Sequence, residues 1–233
     1  MKSISFVIPF YNEEKNLEKT FSNIVKLLKI IKIKKYELIF INDSSLDNSD
    51  LVIKKLKKKY KNISYIINKK NYGLGYSIKQ GVLKAKNDFI LFVPGDNEHS
   101  FQGLAPLFQR FSEYKITIPY IINKNARSRF RRILSKIYTF ILNFSFNKNI
   151  PYFNGLVLYE KKIVQQVQKK ITNFSFSYLA ETLIRCLESC NNYQIVGYKI
   201  RNQKNRSSNS LKLRNIFYSL YFIFKLRINF LIK

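Results

Sequence analysis

Asp96-Asn97-Glu98 sets two carboxylates two residues apart, directly after an apolar run, Asp88-Phe-Ile-Leu-Phe-Val93, that stops at Pro94-Gly95. Carboxylates so spaced can both reach one hard divalent cation. Such a cation bridges a diphosphate and stabilises the negative charge of a leaving group. The same triplet also suits a helix N-terminus, with His99-Ser100 continuing the cap. Asp43 follows a second apolar run, Glu37-Leu-Ile-Phe-Ile41. A carboxylate there can accept hydrogen bonds from a ligand's N–H or hydroxyl groups, or join Asp47 in capping the next helix. Glu13, with Glu14, opens the first helix, where the dipole alone favours an acid. Each acid has a structural explanation when taken singly. What sets the three apart is a shared position just past a buried strand.

The elements that would position them read clearly in the first hundred residues. Apolar runs at residues 5–9, 37–41, 63–67 and 88–93 read as strands. Between them Leu17, Phe21, Ile24, Val25 and Leu28 recur at helical spacing, a basic helix runs to Tyr60, and Ile78, Val82 and Ala85 share a helix face after the turn Asn71-Tyr-Gly-Leu-Gly75. Strands alternating with helices predict βαβ units around a parallel sheet. Ligands in such sheets bind outside the C-terminal ends of the strands, where Glu13, Asp43 and Asp96 fall. The second half is less regular. Leu104, Leu107, Phe108 and Phe111 form one helical stripe. Phe130, Ile133, Leu134, Ile137 and Ile141 form another beside Arg129, Arg131 and Arg132. Residues 151–159 read as a loop and strand around Gly155, and Leu179, Leu183, Cys186, Leu187 and Cys190 form a last stripe. We expect one domain over residues 1–210, with halves 1–100 and 101–210, and a basic, aromatic tail over 211–233.

Hydrophobic residues make up 46% of the 233, which supports a sizeable core, and the formal net charge is +28. The charge is unevenly spread: no acid stands between Glu113 and Glu160, and none after Glu188. A polyanion or an anionic surface is the expected partner, whether lipid headgroups, phosphates or nucleic acid. Cys186 and Cys190 read as small core residues, because a single His leaves too few further ligands for a metal site. The chain opens on a strand pattern with no leader pattern before it, and residues 216–224, the longest late apolar run, are about half of a membrane span.

Four segments carry a specific resemblance: Val7-Ile-Pro-Phe-Tyr-Asn-Glu-Glu14, Ile39-Phe-Ile-Asn-Asp-Ser-Ser-Leu-Asp47, Asn71-Tyr-Gly-Leu-Gly75 and Asp88-Phe-Ile-Leu-Phe-Val-Pro-Gly-Asp96, in that order. The chain resembles family 2 glycosyltransferases, closest to dolichol- and polyprenyl-phosphate sugar synthases, well over residues 3 to about 110 and more loosely to about 212. The resemblance implies a GT-A, Rossmann-like α/β fold and inverting transfer from a nucleotide-sugar donor to a lipid-phosphate or glycan acceptor. Pro9, Tyr11, Glu13 and Asp43 would hold the nucleoside. Asp96 matches the second acid of the family's Asp-x-Asp motif. With Glu98 it would carry Mg²⁺ or Mn²⁺, although Pro94 stands where the first acid belongs.

Arg131 and Ser135, in a segment resembling the branch's basic helix, would grip the acceptor phosphate. Arg206 matches a late Arg that closes on the donor diphosphate, and Asn154-Gly155 falls near the acceptor. Glu181 lies where many members carry an acid near the reaction centre, so Asp96 or Glu181 would be the catalytic base. The tail suits an interfacial helix on an anionic leaflet. The resemblance thus predicts a peripheral protein on the cytoplasmic face of a membrane, with no nucleic-acid partner. Two other readings stay open: a basic nucleic-acid-binding module, prompted by the charge, and a non-catalytic glycosyltransferase-like scaffold, prompted by Pro94.

Overall fold

The computed structural model describes residues 2–97, 99, 101–174, 177–201 and 221–228. Strand β1 (Ile4–Phe10), helix α1 (Leu17–Ile30), strand β2 (Tyr36–Asn42), helix α2 (Ser49–Lys59), strand β3 (Ile63–Ile67), helix α3 (Leu74–Lys84) and strand β4 (Phe89–Phe92) alternate as the periodicity predicts. The second half adds β5 (Ile116–Ile121), α4 (Arg129–Phe146), β6 (Leu158–Glu160), α5 (Lys161–Lys170), α6 (Tyr178–Ser189) and β7 (Tyr193–Tyr198), with a further helix at residues 221–228. β1 and β4 are buried at every position, the signature of strands covered on both faces.

The sheet has seven strands in the order β3-β2-β1-β4-β6-β5-β7. β1 pairs in parallel with β2 and with β4, and β2 pairs in parallel with β3. β6 runs antiparallel between β4 and β5, and β5 pairs in parallel with β7. The expected mostly parallel sheet is therefore present, with a short antiparallel strand joining its two parallel parts.

Two stripes differ from a plain helical reading. The one at Leu104, Leu107 and Phe108 is a 3-10 segment, Gln102–Phe108. Pro106 inside it has no N–H for an α-helical bond. The other, on α4, turns outward: Phe130, Ile133 and Ile137 are exposed, and the helix buries Leu142 and Phe146 instead.

Two glycines fix how closely the elements that carry the strand ends approach. A Cβ on Gly81 would overlap Val7 Cγ1 and lie 2.8 Å from Ile41 Cδ1, so only glycine lets α3 rest directly on β1 and β2. A Cβ on Gly95 would lie 2.7 Å from the Cβ of Phe10. Its absence lets the loop after β4 close on the end of β1. There Gly95 N–H donates to the Pro9 carbonyl (2.9 Å) and Thr20 Oγ1 donates to the Gly95 carbonyl (2.9 Å).

Candidate active site

The order β2-β1-β4 sets three C-terminal strand ends side by side. Beyond each end the chain turns through a residue with positive φ: Asn12 at 55°, Ser44 at 65° and Asn97 at 53°. Non-glycine residues in this region cost on the order of 1 kcal/mol and gather at functional sites. The three turns aim their neighbours into one cleft of about 300 Å³, lined by Pro9, Phe10, Tyr11, Glu13, Asp43, Asn71, Gly73, Leu74, Ser77, Pro94, Gly95 and Asp96. Pro9, Tyr11, Glu13, Asp43 and Asp96 thus share one cavity.

Side chains lace its floor together. Asp43, only 4% exposed, accepts from Asn68 Nδ2 (2.7 Å) and Tyr72 N–H (3.0 Å) on Oδ1, and from Gly73 N–H (2.8 Å) on Oδ2. It therefore clasps the loop that leads into α3. Asn68 also donates to Ser77 Oγ (2.9 Å), tying the end of β3 to α3. Glu13 accepts from Asn16 Nδ2 (2.7 Å), and its own N–H donates to Ser49 Oγ (2.9 Å). Asn12 joins in, donating its N–H to Ser45 Oγ (3.0 Å) and accepting the N–H of Leu46 (2.8 Å). The loops after β1 and β2 are thereby fixed to each other. On the other wall, Asn97 accepts from Asn23 Nδ2 (2.8 Å) and its carbonyl accepts from Arg201 Nη1 (3.0 Å), so the loop after Asp96 is held from α1 and from the end of β7.

Among the described residues no three carboxylate, histidine or cysteine groups gather closely enough to cage a cation. Asp96 lies in the cleft; Glu98, its expected companion, lies outside the described residues, as does Arg206. This donor set suits Mg²⁺ or Mn²⁺ carried mainly by diphosphate oxygens and water with one or two protein carboxylates. It does not suit an all-protein site.

A second polar cluster is assembled from the other half of the chain. Arg127 Nη1 donates to the Tyr152 hydroxyl (3.1 Å), and its guanidinium lies 5.3 Å from that ring's centroid. Burial, then the charge of Arg127, pulls the Arg131 pKa below its ordinary range. Burial pushes the Tyr138 hydroxyl up to about 12, opposed by Ser177. The ring of His99 stacks 6.4 Å from Tyr198, and burial together with the Arg127 charge pushes its pKa down to about 4. Arg127 Nε, Arg131 Nη1, Asn154 Oδ1 and His99 Nδ1 are buried with no hydrogen-bond partner among the described residues. Buried polar groups are almost always paired, and two of these unpaired ones belong to arginines.

Glu181 is 4% exposed on the first turn of α6. One carboxylate oxygen accepts from Arg185 Nε (2.7 Å), and Oε2 is buried without a partner among the described residues. Burial raises its pKa, against the pull of Arg185. Glu181 does not line the cleft that holds Asp96, and Ser135 lines a separate groove of about 260 Å³ with Lys136, Thr139, Phe140, Asn143 and Pro151. Arg131 instead interacts with Arg127 and Tyr152, and Tyr138 with Ser177 and Tyr152; sequence reasoning did not single out Arg127, Tyr138, Tyr152 or Ser177 as site residues. Nor did it single out Asn68, though the rule that picks Asp43 points there as well, since Asn68 directly follows β3.

A mostly parallel sheet with a carboxylate-lined cleft at its strand ends defines an α/β ligand-binding fold of GT-A architecture. Glucosyl-3-phosphoglycerate synthase from Mycobacterium tuberculosis, determined with Mn²⁺, UDP and phosphoglyceric acid, matches it with a TM-score of 0.69 at 14% identity, covering 95% of this chain and 78% of that one. The model of the glycosyl transferase family 2 matches residues 5–167, and the chain belongs to that family. An uncharacterised protein of Methanocaldococcus jannaschii is 28% identical over 141 residues, 58% of each chain. A dolichyl-phosphate β-glucosyltransferase of Trichomonas vaginalis is 32% identical over 97 residues, 40% of this chain and 30% of that one. The chain thus spans a little over half of one relative and under a third of the other.

Proposed function

We propose that this protein is an inverting glycosyltransferase that moves a sugar from a nucleotide-sugar donor to a polyprenyl phosphate or membrane-linked glycan at the cytoplasmic face of a membrane. The observation that carries this reading is the meeting of Glu13, Asp43 and Asp96, from three separate strand ends, in one cleft. Pro9, Tyr11, Glu13 and Asp43 form the wall that would hold the nucleoside. Asp96, with Glu98, would hold the divalent cation, which supplies charge neutralisation for the diphosphate. In the transfer, an acceptor oxygen bonds to the anomeric carbon as the bond from that carbon to the diphosphate oxygen breaks, and the electron pair leaves with the nucleoside diphosphate.

The second cluster supports an anionic acceptor. Among the described residues neither Arg127 nor Arg131 forms an ion pair, and their positive charge would orient a phosphate and keep it ionised. Such an oxygen needs little help from a base. A hydroxyl acceptor needs one, and Asp96 or Glu181, whose raised pKa suits proton uptake, would serve. The described part of the tail, with Tyr221, Phe224 and Ile228 exposed beside Lys225 and Arg227, fits a protein that meets a lipid surface.

One observation favours a second reading, a non-catalytic scaffold: Pro94 occupies the cleft wall where the family's first motif acid belongs. Donor turnover separates the two. A panel of nucleotide sugars is screened by thermal shift with and without Mn²⁺ or Mg²⁺, and hits are assayed for hydrolysis. We expect hydrolysis of at least one donor. Asp96→Ala should abolish it, by about 10³-fold or more, while the protein melts as the wild type does. Full activity in that variant removes Asp96 from the site; no turnover of any donor favours the scaffold.

A further inference from the structure

Helix α4 has two faces of use. Its inner face buries Leu142 and Phe146 and turns Arg131 and Tyr138 toward the unpaired polar cluster. Its outer face carries Phe130, Ile133, Ile137, Phe140 and Phe144, exposed by 59, 56, 50, 70 and 82%. At 3.6 residues per turn these five positions fall within about a quarter of the circumference and run for roughly 20 Å. Single exposed apolar residues are ordinary, but a continuous row of five large ones marks an interaction surface. Arg129 and Lys136 stand exposed along its border, Arg132 is half-buried beside them, and the acid-free stretch between Glu113 and Glu160 contains the whole helix.

We propose that the outer face of α4 is a docking surface for a membrane leaflet that contains anionic lipid. The row of Phe and Ile calls for an apolar medium, and the basic border calls for negative charge. A leaflet supplies both at its headgroup–acyl boundary. A second copy of this chain would set one cationic border against another in a protein of net charge +28. A nucleic acid would supply the charge but no apolar medium for Ile133 and Ile137. Among the described residues no helix is long and apolar enough to cross a membrane, which agrees with a helix that lies on one.

This inference rests on the membrane-linked acceptor proposed above, and it gives that acceptor a route. With its outer face on the leaflet, α4 holds Arg131 within about one helix diameter, ~10 Å, of the lipid phosphates.

The full-length chain is sedimented with vesicles of phosphatidylcholine alone and of phosphatidylcholine with phosphatidylglycerol. The wild type should bind only the anionic vesicles. Phe140→Glu/Phe144→Glu should lose at least about tenfold of that binding, with unchanged melting temperature and unchanged hydrolysis of the donor in free solution. Leu51→Glu, at a comparably exposed apolar site on α2, should bind as the wild type does. Equal vesicle binding by the double variant overturns the proposal, and so does a wild type that binds neither vesicle. It is also overturned if the substitutions instead convert a dimer to a monomer on gel filtration, or abolish a shift with RNA. Vesicle binding without donor hydrolysis would leave the surface standing and fell the catalytic reading; the reverse result would do the opposite.

Discussion

The Asp43 carboxylate is held by three donors of its own chain: Asn68 Nδ2, Tyr72 N–H and Gly73 N–H. Its first task is therefore to shape the cleft wall, and any contact with a ligand comes through a group already fixed in place. Asp43→Asn tests this order of roles. The amide keeps the size but turns an NH₂ toward a donor, so that Gly73 N–H keeps only its longer bond to Asn71 Oδ1 (3.1 Å), at a cost of about 1 kcal/mol. We expect a melting temperature several degrees lower and a donor KM raised more than kcat is lowered, read from thermal melts and steady-state kinetics. Unchanged stability with a lost activity would make Asp43 a ligand contact alone.

At the scale of elements, α3 transmits packing to that same wall. Its N-terminus follows the Tyr72-Gly73 loop that Asp43 clasps, and its middle rests on the sheet at Gly81. Gly81→Val should force α3 away from Val7 and Ile41, cost about 1–3 kcal/mol as overpacking, and weaken donor binding although residue 81 does not line the cleft. Donor titration by thermal shift beside the apo melt separates the two effects, and a loss of stability with unchanged affinity would uncouple helix from loop. The four parallel strands and their helices were legible because β1, β2 and β4 are nearly continuous apolar runs and the helices between them keep a clean period. β5 was hidden by Pro119, a poor strand residue, and β7 by Gly197 and a mixed, half-buried pattern. α5 (KKIVQQVQKK) shows too few apolar positions to display its face. The strand-end acids could be read because position after a strand is a local property. The Arg127–Tyr152 bond, the interaction of Arg131 with Tyr152 and that of Tyr138 with Ser177 join distant parts of the chain, which no local pattern encodes.

For the molecule as a whole, 42 basic residues against 14 acidic ones mean that folding gathers like charge. Acid conditions should sharpen this, and the signs can be assigned group by group. His99 is depressed from 6.5 to about 4 by burial and by Arg127. The unfolded chain therefore takes up its proton first, and stability is lost as pH falls from about 6.5 toward 4. Asp88 is lowered below 3.8 by bonds from the Ser3 hydroxyl and N–H, so its contribution is lost only below that range. Glu181, raised by burial, works the other way and gains stability as it protonates on acidification. Between pH 6.5 and 4 the loss should thus come from His99, by roughly 1–3 kcal/mol, and from the growing net charge. His99→Gln, which cannot titrate, should flatten the fall in melting temperature across that window. Moderate salt should recover much of what remains, because exposed charges are screened beyond about 10 Å at 0.1 M. Melts of both proteins at pH 7, 5.5 and 4.5, at low and moderate salt, decide the matter. Parallel curves for wild type and variant would show that His99 reaches solvent and titrates freely, and would leave the general charge as the sole source of acid sensitivity in this range.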